Sequence, residues 1–200
     1  MSIYNFAPSP DLATREEITT TWENGFTDSQ IDDIIRIGEN LSLNDSIIAG
    51  QKDGDDMSHI RKSKTSWIKL DGRSEWLYDT LAYIARQING QFYDFDLSGF
   101  VEDMQYTVYN GAENGHYSWH IDKGMLNVSP RKLSMVVQLS DPSEYEGGDL
   151  EFFYSSEVMK AKKKRGLVYL FPSWVVHRVT PVTSGVRRSL VVWVAGPKFR

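Results

Sequence analysis

Cysteine is missing from this chain of 200 residues. Without a thiol, disulfides, zinc knuckles, iron–sulfur clusters and thiol nucleophiles are excluded together, so any metal has to be held by histidine and carboxylates. Histidine is itself scarce, with four in the chain, which keeps the search for ligands short. An excess of positive charge is also lacking: 22 Lys and Arg stand against 27 Asp and Glu, a net charge of -5. A surface built to neutralise phosphates would be basic, so the balance argues against a nucleic-acid binder. The run KAKKKR (160–165) is the local exception, and its place before a strand-like segment reads as a solvated hairpin. No window holds about 18 consecutive apolar residues, and MSIYNFAPSPDLATREE has no basic segment followed by an apolar one. The expectation is a cytoplasmic protein with no membrane contact.

What is present is a hydrophobic content of 40%, enough at this length for one core. A single domain over 1–200 is expected, mainly β with flanking helices, in which 1–99 is helical or mixed support and 100–200 the β core. TDSQIDDIIRIGENL (27–41) sets Ile31, Ile34, Ile35, Gly38 and Leu41 at helical spacing, with Thr27 or Asp28 as N-cap. SEWLYDTLAYIARQIN (74–89) predicts a second amphipathic helix stopped by Gly90. NDSIIAGQKDGDDMSH (44–59) between them reads as a loop. From residue 100 the period changes to that of strands: FVEDMQYTVYN, RKLSMVVQLS, GDLEFFYS, RGLVYLFP, VVHRVTPV and RRSLVVWVAG are short runs rich in Val, Leu and aromatics, separated by turn residues. Short strands at such spacing predict a barrel or sandwich.

Chemistry is concentrated in HYSWHIDKG (116–124). In extended chain, side chains two apart point the same way, so His120 and Asp122 can both face a metal while Ile121 turns into the core. A hydrogen-bonded turn would look the same. A third ligand has to come from His59, in the polar loop, from His116, or from His177, which sits in the strand-like SWVVHRVTPV. His177 is the best placed, although a histidine on an apolar strand also serves as an ordinary core residue. Two imidazoles and one carboxylate on one face of a metal leave positions open, the ligand set of non-haem Fe(II) oxygenases, whereas a structural zinc site closes all four. Ten residues after His177, alternation in VRRSLVVWV puts Arg187, Ser189, Val191 and Trp193 on one side of a strand. A guanidinium entering a buried strand needs an anion. Arg187, with the Ser189 hydroxyl on the same face, suits a carboxylate held by two parallel hydrogen bonds.

The series Tyr109, His120-x-Asp122, His177, Arg187-x-Ser189, together with LSDPSEYEGGDLEF (139–152) and FPSWVVHRVTPVTSGVRRSL (171–190), resembles the Fe(II)- and 2-oxoglutarate-dependent dioxygenases. The likeness is to the branch similar to prolyl 4-hydroxylases and the bacterial PKHD-type hydroxylases, and it covers about 100–196. It implies a double-stranded β-helix, or jelly roll, with helices packed on one sheet. It also implies that His120, Asp122 and His177 bind iron, and that Arg187 and Tyr109 hold the distal carboxylate of 2-oxoglutarate. Tyr117 and Trp193 match aromatic wall positions. Gln138 stands where some relatives have a second cofactor-facing aromatic.

The implied reaction couples oxidative decarboxylation of 2-oxoglutarate, with O2, to hydroxylation of a C–H bond, with ascorbate as a reductant for the iron. The substrate implied by the resemblance is a prolyl residue in a peptide or protein, with the loop 44–66 and KGMLNVSPRK (123–132) closing over it and Arg131 as a contact. A free amino acid or small metabolite is the alternative substrate, a nucleic-acid dealkylase a third reading, and a non-catalytic metal-binding interaction module the alternative of another class.

Overall fold

The computed structural model describes residues 17–46, 56–123, 131–154 and 156–197. In chain order it contains β1 (Thr20–Trp22), α1 (Asp28–Glu39), β2 (Asn44–Asp45), β3 (Arg61–Lys62), β4 (Lys64–Ile68), α2 (Glu75–Ile88), β5 (Gly99–Phe100), β6 (Met104–Asn110) and β7 (His116–His120). There follow β8 (Arg131–Gln138), β9 (Tyr145–Gly147), β10 (Leu150–Tyr154), β11 (Glu157–Lys160), β12 (Val168–Pro172), β13 (Val176–Val179) and β14 (Val182–Ala195). The large sheet has the order β1-β12-β8-β14-β6-β4-β2, with β5 and β9 also paired to β14, and the small sheet runs β11-β10-β13-β7-β3. The fold is mainly β, and its two-sheet arrangement is consistent with a jelly roll.

Alternation along β14 divides the molecule. Leu190, Val192 and Val194 point to one side, where they join Leu133, Met135, Val137, Met104 and Tyr106 and are covered by Ile31 and Ile34 of α1 and Leu77, Leu81, Ile84 and Ile88 of α2. Each such side chain withdrawn from water stabilises the fold by about 1.5–3 kcal/mol. The opposite side carries Arg187, Ser189, Val191 and Trp193, and a second core of Tyr109, Val136, Phe152, Tyr169, Phe171 and Val179 lies there.

Both expected helices form. Thr27 caps α1, accepting from the Gln30 backbone N–H at 3.2 Å while the Gln30 side chain accepts from the Thr27 N–H at 2.9 Å. Gly38 faces the sheet, and a Cβ there would fall 2.3 Å from the Tyr106 ring, so this glycine sets how closely α1 can approach.

Three expectations are corrected. Gly90 does not stop α2: a wider π-helical turn over Asn89–Tyr93 continues it and ends at Asp94, whose φ is +49. The Asn89 amide bonds both backbone groups of Phe95, at 2.9 and 3.0 Å, and Phe92 and Tyr93 pack on the core, which rewards the extension. The stretch 44–66 is not wholly loop, since β3 pairs with β7 and β4 with β6; its centre, 47–55, lies outside the described residues. VVHRVTPV is broken at Thr180–Pro181, and β14 begins at Val182, five residues before the expected start, because its first part pairs with β9.

The basic run is tied down rather than free. Lys163 meets Asp149 at 3.0 Å, Lys164 meets Glu23 at 2.6 Å, and Arg165 pairs with Asp32 on α1. Among the described residues no helix is long and apolar enough to cross a membrane.

Candidate active site

The small sheet brings two distant histidines side by side. His177 on β13 is the cross-strand partner of His120 on β7, and their rings are 4.2 Å apart. Between His177 and Val179 the pairing slips, so that His177 opposes His120 but Val179 opposes Tyr117. This β-bulge breaks strict alternation and puts Tyr117 and His120 on one face, with rings stacked at 3.5 Å. Ile121, expected in the core, is instead 43% exposed, and Trp119, two residues before it, and Phe153, which packs on Trp119, are exposed as well.

One ligand atom from each of His120, Asp122 and His177 lies within 4.8 Å of the others. His120 Nδ1 is 2.8 Å from the Ser118 carbonyl and His177 Nδ1 is 2.9 Å from the Val175 carbonyl. A carbonyl only accepts, so each Nδ1 carries the proton and each Nε2 presents a lone pair. Those Nε2 atoms lie 3.7 and 3.6 Å from the two Asp122 oxygens.

Burial, followed by repulsion from His177, pushes the His120 imidazole down to about 3, so it is neutral at physiological pH. Burial alone would raise the Asp122 carboxyl, but the charges of His177 and His120, helped by the nearby Ser134 hydroxyl and Trp193 indole, outweigh it and hold it low. Asp122 Oδ2 has no hydrogen-bond partner. Two lone pairs and an orphaned buried carboxylate oxygen converge on one point, a donor set that fits a divalent cation and leaves further positions open. The remaining histidines do not join: His116 bonds the Asn114 carbonyl, and its other ring nitrogen is 3.4 Å from the carbonyl of His59.

On the facing side of the large sheet, Arg187 is 2% exposed and lies opposite Tyr109, its guanidinium carbon 5.3 Å from that ring. Nη1 reaches the Ser189 hydroxyl at 3.4 Å. No carboxylate among the described residues pairs with it, which leaves a buried charge in need of an anion. Gly148, at φ +59, makes room for this side chain, because a Cβ there would lie 2.9 Å from Arg187 Cδ. Gln138 is the partner of Ser189 in register, so it shares that face, but its amide donates to the Lys162 carbonyl at 2.5 Å.

Trp193, also on that face, stands beside Asp122, and its indole N–H has no hydrogen-bond partner of ordinary geometry. Arg131, expected as a substrate contact, is engaged within the protein. Its Nε donates to Glu102 at 2.7 Å, its plane lies 3.6 Å from the Trp193 ring, and Nη1 reaches the Asp122 carbonyl at 3.3 Å. The stretch 124–130, expected to close over substrate, lies outside the described residues.

Sequence reasoning missed Glu102, Arg61, whose guanidinium lies 4.6 Å over Tyr117, and Trp67, 42% exposed and 6.3 Å from Trp193. Nothing in their spacing marks them, because strand pairing alone brings them to the site.

The site thus sets an open His-Asp-His donor set against a buried arginine that has no carboxylate partner among the described residues. Residues 104–195 match the family model of the 2OG-Fe(II) oxygenase superfamily. A PKHD-type hydroxylase of a Synechococcus species is 36% identical over 90 residues, 45% of this chain and 41% of that protein. One of Prochlorococcus marinus is 30% identical over 146 residues, 72% of this chain and 65% of that protein. The matches thus span less than two thirds of these relatives. A Pseudomonas putida prolyl-4-hydroxylase has a TM-score of 0.70 at 19% identity, covering 94% of this chain and 96% of that one. A Trichoplax adhaerens prolyl hydroxylase, solved with a hypoxia inducible factor peptide, has a TM-score of 0.74 at 19% identity, with 90% and 84% covered. At that identity the two structures speak for the fold alone.

Proposed function

We propose that this chain is an Fe(II)- and 2-oxoglutarate-dependent hydroxylase, with His120, Asp122 and His177 as the metal ligands and Arg187 as the anchor for the distal carboxylate of 2-oxoglutarate. The observation that carries the reading is Arg187, a buried guanidinium without a carboxylate, on the face opposite an open donor set. A dicarboxylate with a chelating 2-oxo acid at one end answers both needs. When bound, iron and the 2-oxo acid together supply the oxidising power for C–H hydroxylation, with O2 consumed and succinate and carbon dioxide released; ascorbate serves as the reductant that keeps the iron ferrous.

The protein's own groups hold, orient and shield. The backbone carbonyls of Ser118 and Val175 fix the two imidazole tautomers, and Asp122 contributes a negative charge. Ser189 adds a hydroxyl beside Arg187, and Tyr109 and Gln138 share that wall. Phe152, Phe171 and Tyr117 surround the histidines and keep water out.

For the substrate, the reading is a prolyl residue in a peptide. The exposed Trp67 beside Trp193 offers an aromatic ledge for such a ring at the edge of the site, and the two structures of like fold are named as prolyl hydroxylases. The test is anaerobic addition of Fe(II) and then 2-oxoglutarate. A weak visible charge-transfer band that is lost in Arg187→Ala supports the assembly of the site. Succinate release that rises with proline-containing peptides supports the substrate class, and release indifferent to every such peptide counts against it.

A further inference from the structure

We infer that Glu102 and Arg131 form a latch that sets the orientation of Asp122, so that Arg131 is a positioning residue rather than a contact for substrate. The inference rests on the reading of Asp122 as a metal ligand.

Asp122 lies two residues past His120, the last residue of β7, where strand pairing no longer holds the backbone. Two tethers remain nearby: the Lys123 N–H donates to the Ser173 carbonyl at 2.8 Å, and the Asp122 carbonyl accepts from Arg131 Nη1 at 3.3 Å. Arg131 is the first residue of β8, and its guanidinium is itself fixed. Nε donates to one Glu102 oxygen at 2.7 Å and Nη2 to the other, a two-pronged pair formed across 29 residues of chain. The partners are 15% and 24% exposed, so water screens them little.

The flat face of the same guanidinium covers the Trp193 ring at 3.6 Å, and Trp193 stands beside the Asp122 carboxylate with its N–H free of any other partner. Arg131 therefore bears on Asp122 twice, at the backbone and through the indole that flanks the carboxylate. Each of its three nitrogens makes one hydrogen bond within the protein, and Glu102 neutralises its charge, which weakens its pull on a substrate carboxylate. A carboxylate on a short side chain at a strand end can turn about its own χ angles. Partners that restrain such a ligand are worth about 10- to 100-fold in metal affinity in comparable sites.

The experiment is titration of the metal-free full chain with Mn(II), which does not turn over, read by calorimetry or paramagnetic resonance. The series comprises wild type, Glu102→Gln, Arg131→Met, the double variant and Asp122→Ala, with melting temperature followed in each. Glu102→Gln and Arg131→Met are each expected to weaken Mn(II) about tenfold or more, and the double variant no more than the worse single one, since the two act as a unit. Arg131→Lys keeps the charge and the cover over Trp193 but loses the two-pronged geometry, and an intermediate loss is expected. It serves in place of Arg131→Met should that variant fail to fold. Mn(II) binding unchanged in the latch variants, or losses that add in the double variant, overturns the latch; unchanged binding with a raised KM for peptide is what a substrate contact would give. Asp122→Ala separates the two levels: if it binds Mn(II) as wild type does, the metal-site reading itself has failed. If it alone loses binding, only the latch has failed.

Discussion

Arg187 has given up nearly all contact with water, and among the described residues a serine hydroxyl is its one hydrogen-bonded side-chain neighbour. Holding a cation in that state costs the protein free energy until an anion arrives. Arg187→Met, which keeps the apolar stem and drops the charge, is therefore expected to raise the stability of the ligand-free chain by about 1–4 kcal/mol. It should at the same time lose 2-oxoglutarate binding by about 2–4 kcal/mol or more. Urea denaturation and calorimetry on the same samples check both signs, and a destabilised variant would mean that the charge has a partner in the resting protein. Gly148→Ala acts on the same group from outside, because the added methyl crowds Arg187 Cδ. Weaker 2-oxoglutarate binding with Mn(II) affinity unchanged is the expected calorimetric result.

At the scale of elements, α1 is held to the sheet at one point of closest approach. Gly38→Ala improves helix propensity by about 0.8–1 kcal/mol, yet it drives a methyl into the Tyr106 ring, which repacking penalises by about 1–3 kcal/mol. A net loss of stability in chemical denaturation is expected, together with a loss of about 1 kcal/mol for Thr27→Ala, which removes the capping box. The helices and the cores of β6, β8, β10, β12, β13 and β14 were legible in the sequence because period 3.6 and period 2 both follow from one-sided burial. Alternation in VRRSLVVWV likewise placed Arg187, Ser189 and Trp193 on one face. What stayed hidden has one cause: it depends on partners far along the chain. The slip between His177 and Val179 cannot be counted from HYSWHIDKG, and nothing in that stretch says that Trp119 and Ile121 are left exposed. Glu102 gives no sign of its distant partner Arg131, and the early start of β14 follows from β9, which only the fold brings alongside.

At the scale of the whole molecule, the proposed ligands draw on both sheets: His120 and His177 belong to the small one and Arg187 to the large one. Mn(II) and 2-oxoglutarate, each at about 100 times its dissociation constant, should together raise stability by more than either does alone, each single site contributing about 2.7 kcal/mol. Thermal denaturation with the four combinations of the two ligands checks this. No shift with both present would remove the shared site.

The division between the sheets has a further consequence. The carboxylate anchor is written on the large sheet alone, with Ser189 and Gly148 beside it, so it can drift by substitution while the metal ligands keep their job. A co-substrate that must touch both acts as a rivet between two plates, and a descendant that lost Arg187 would still own an intact metal cradle, available for a different small molecule.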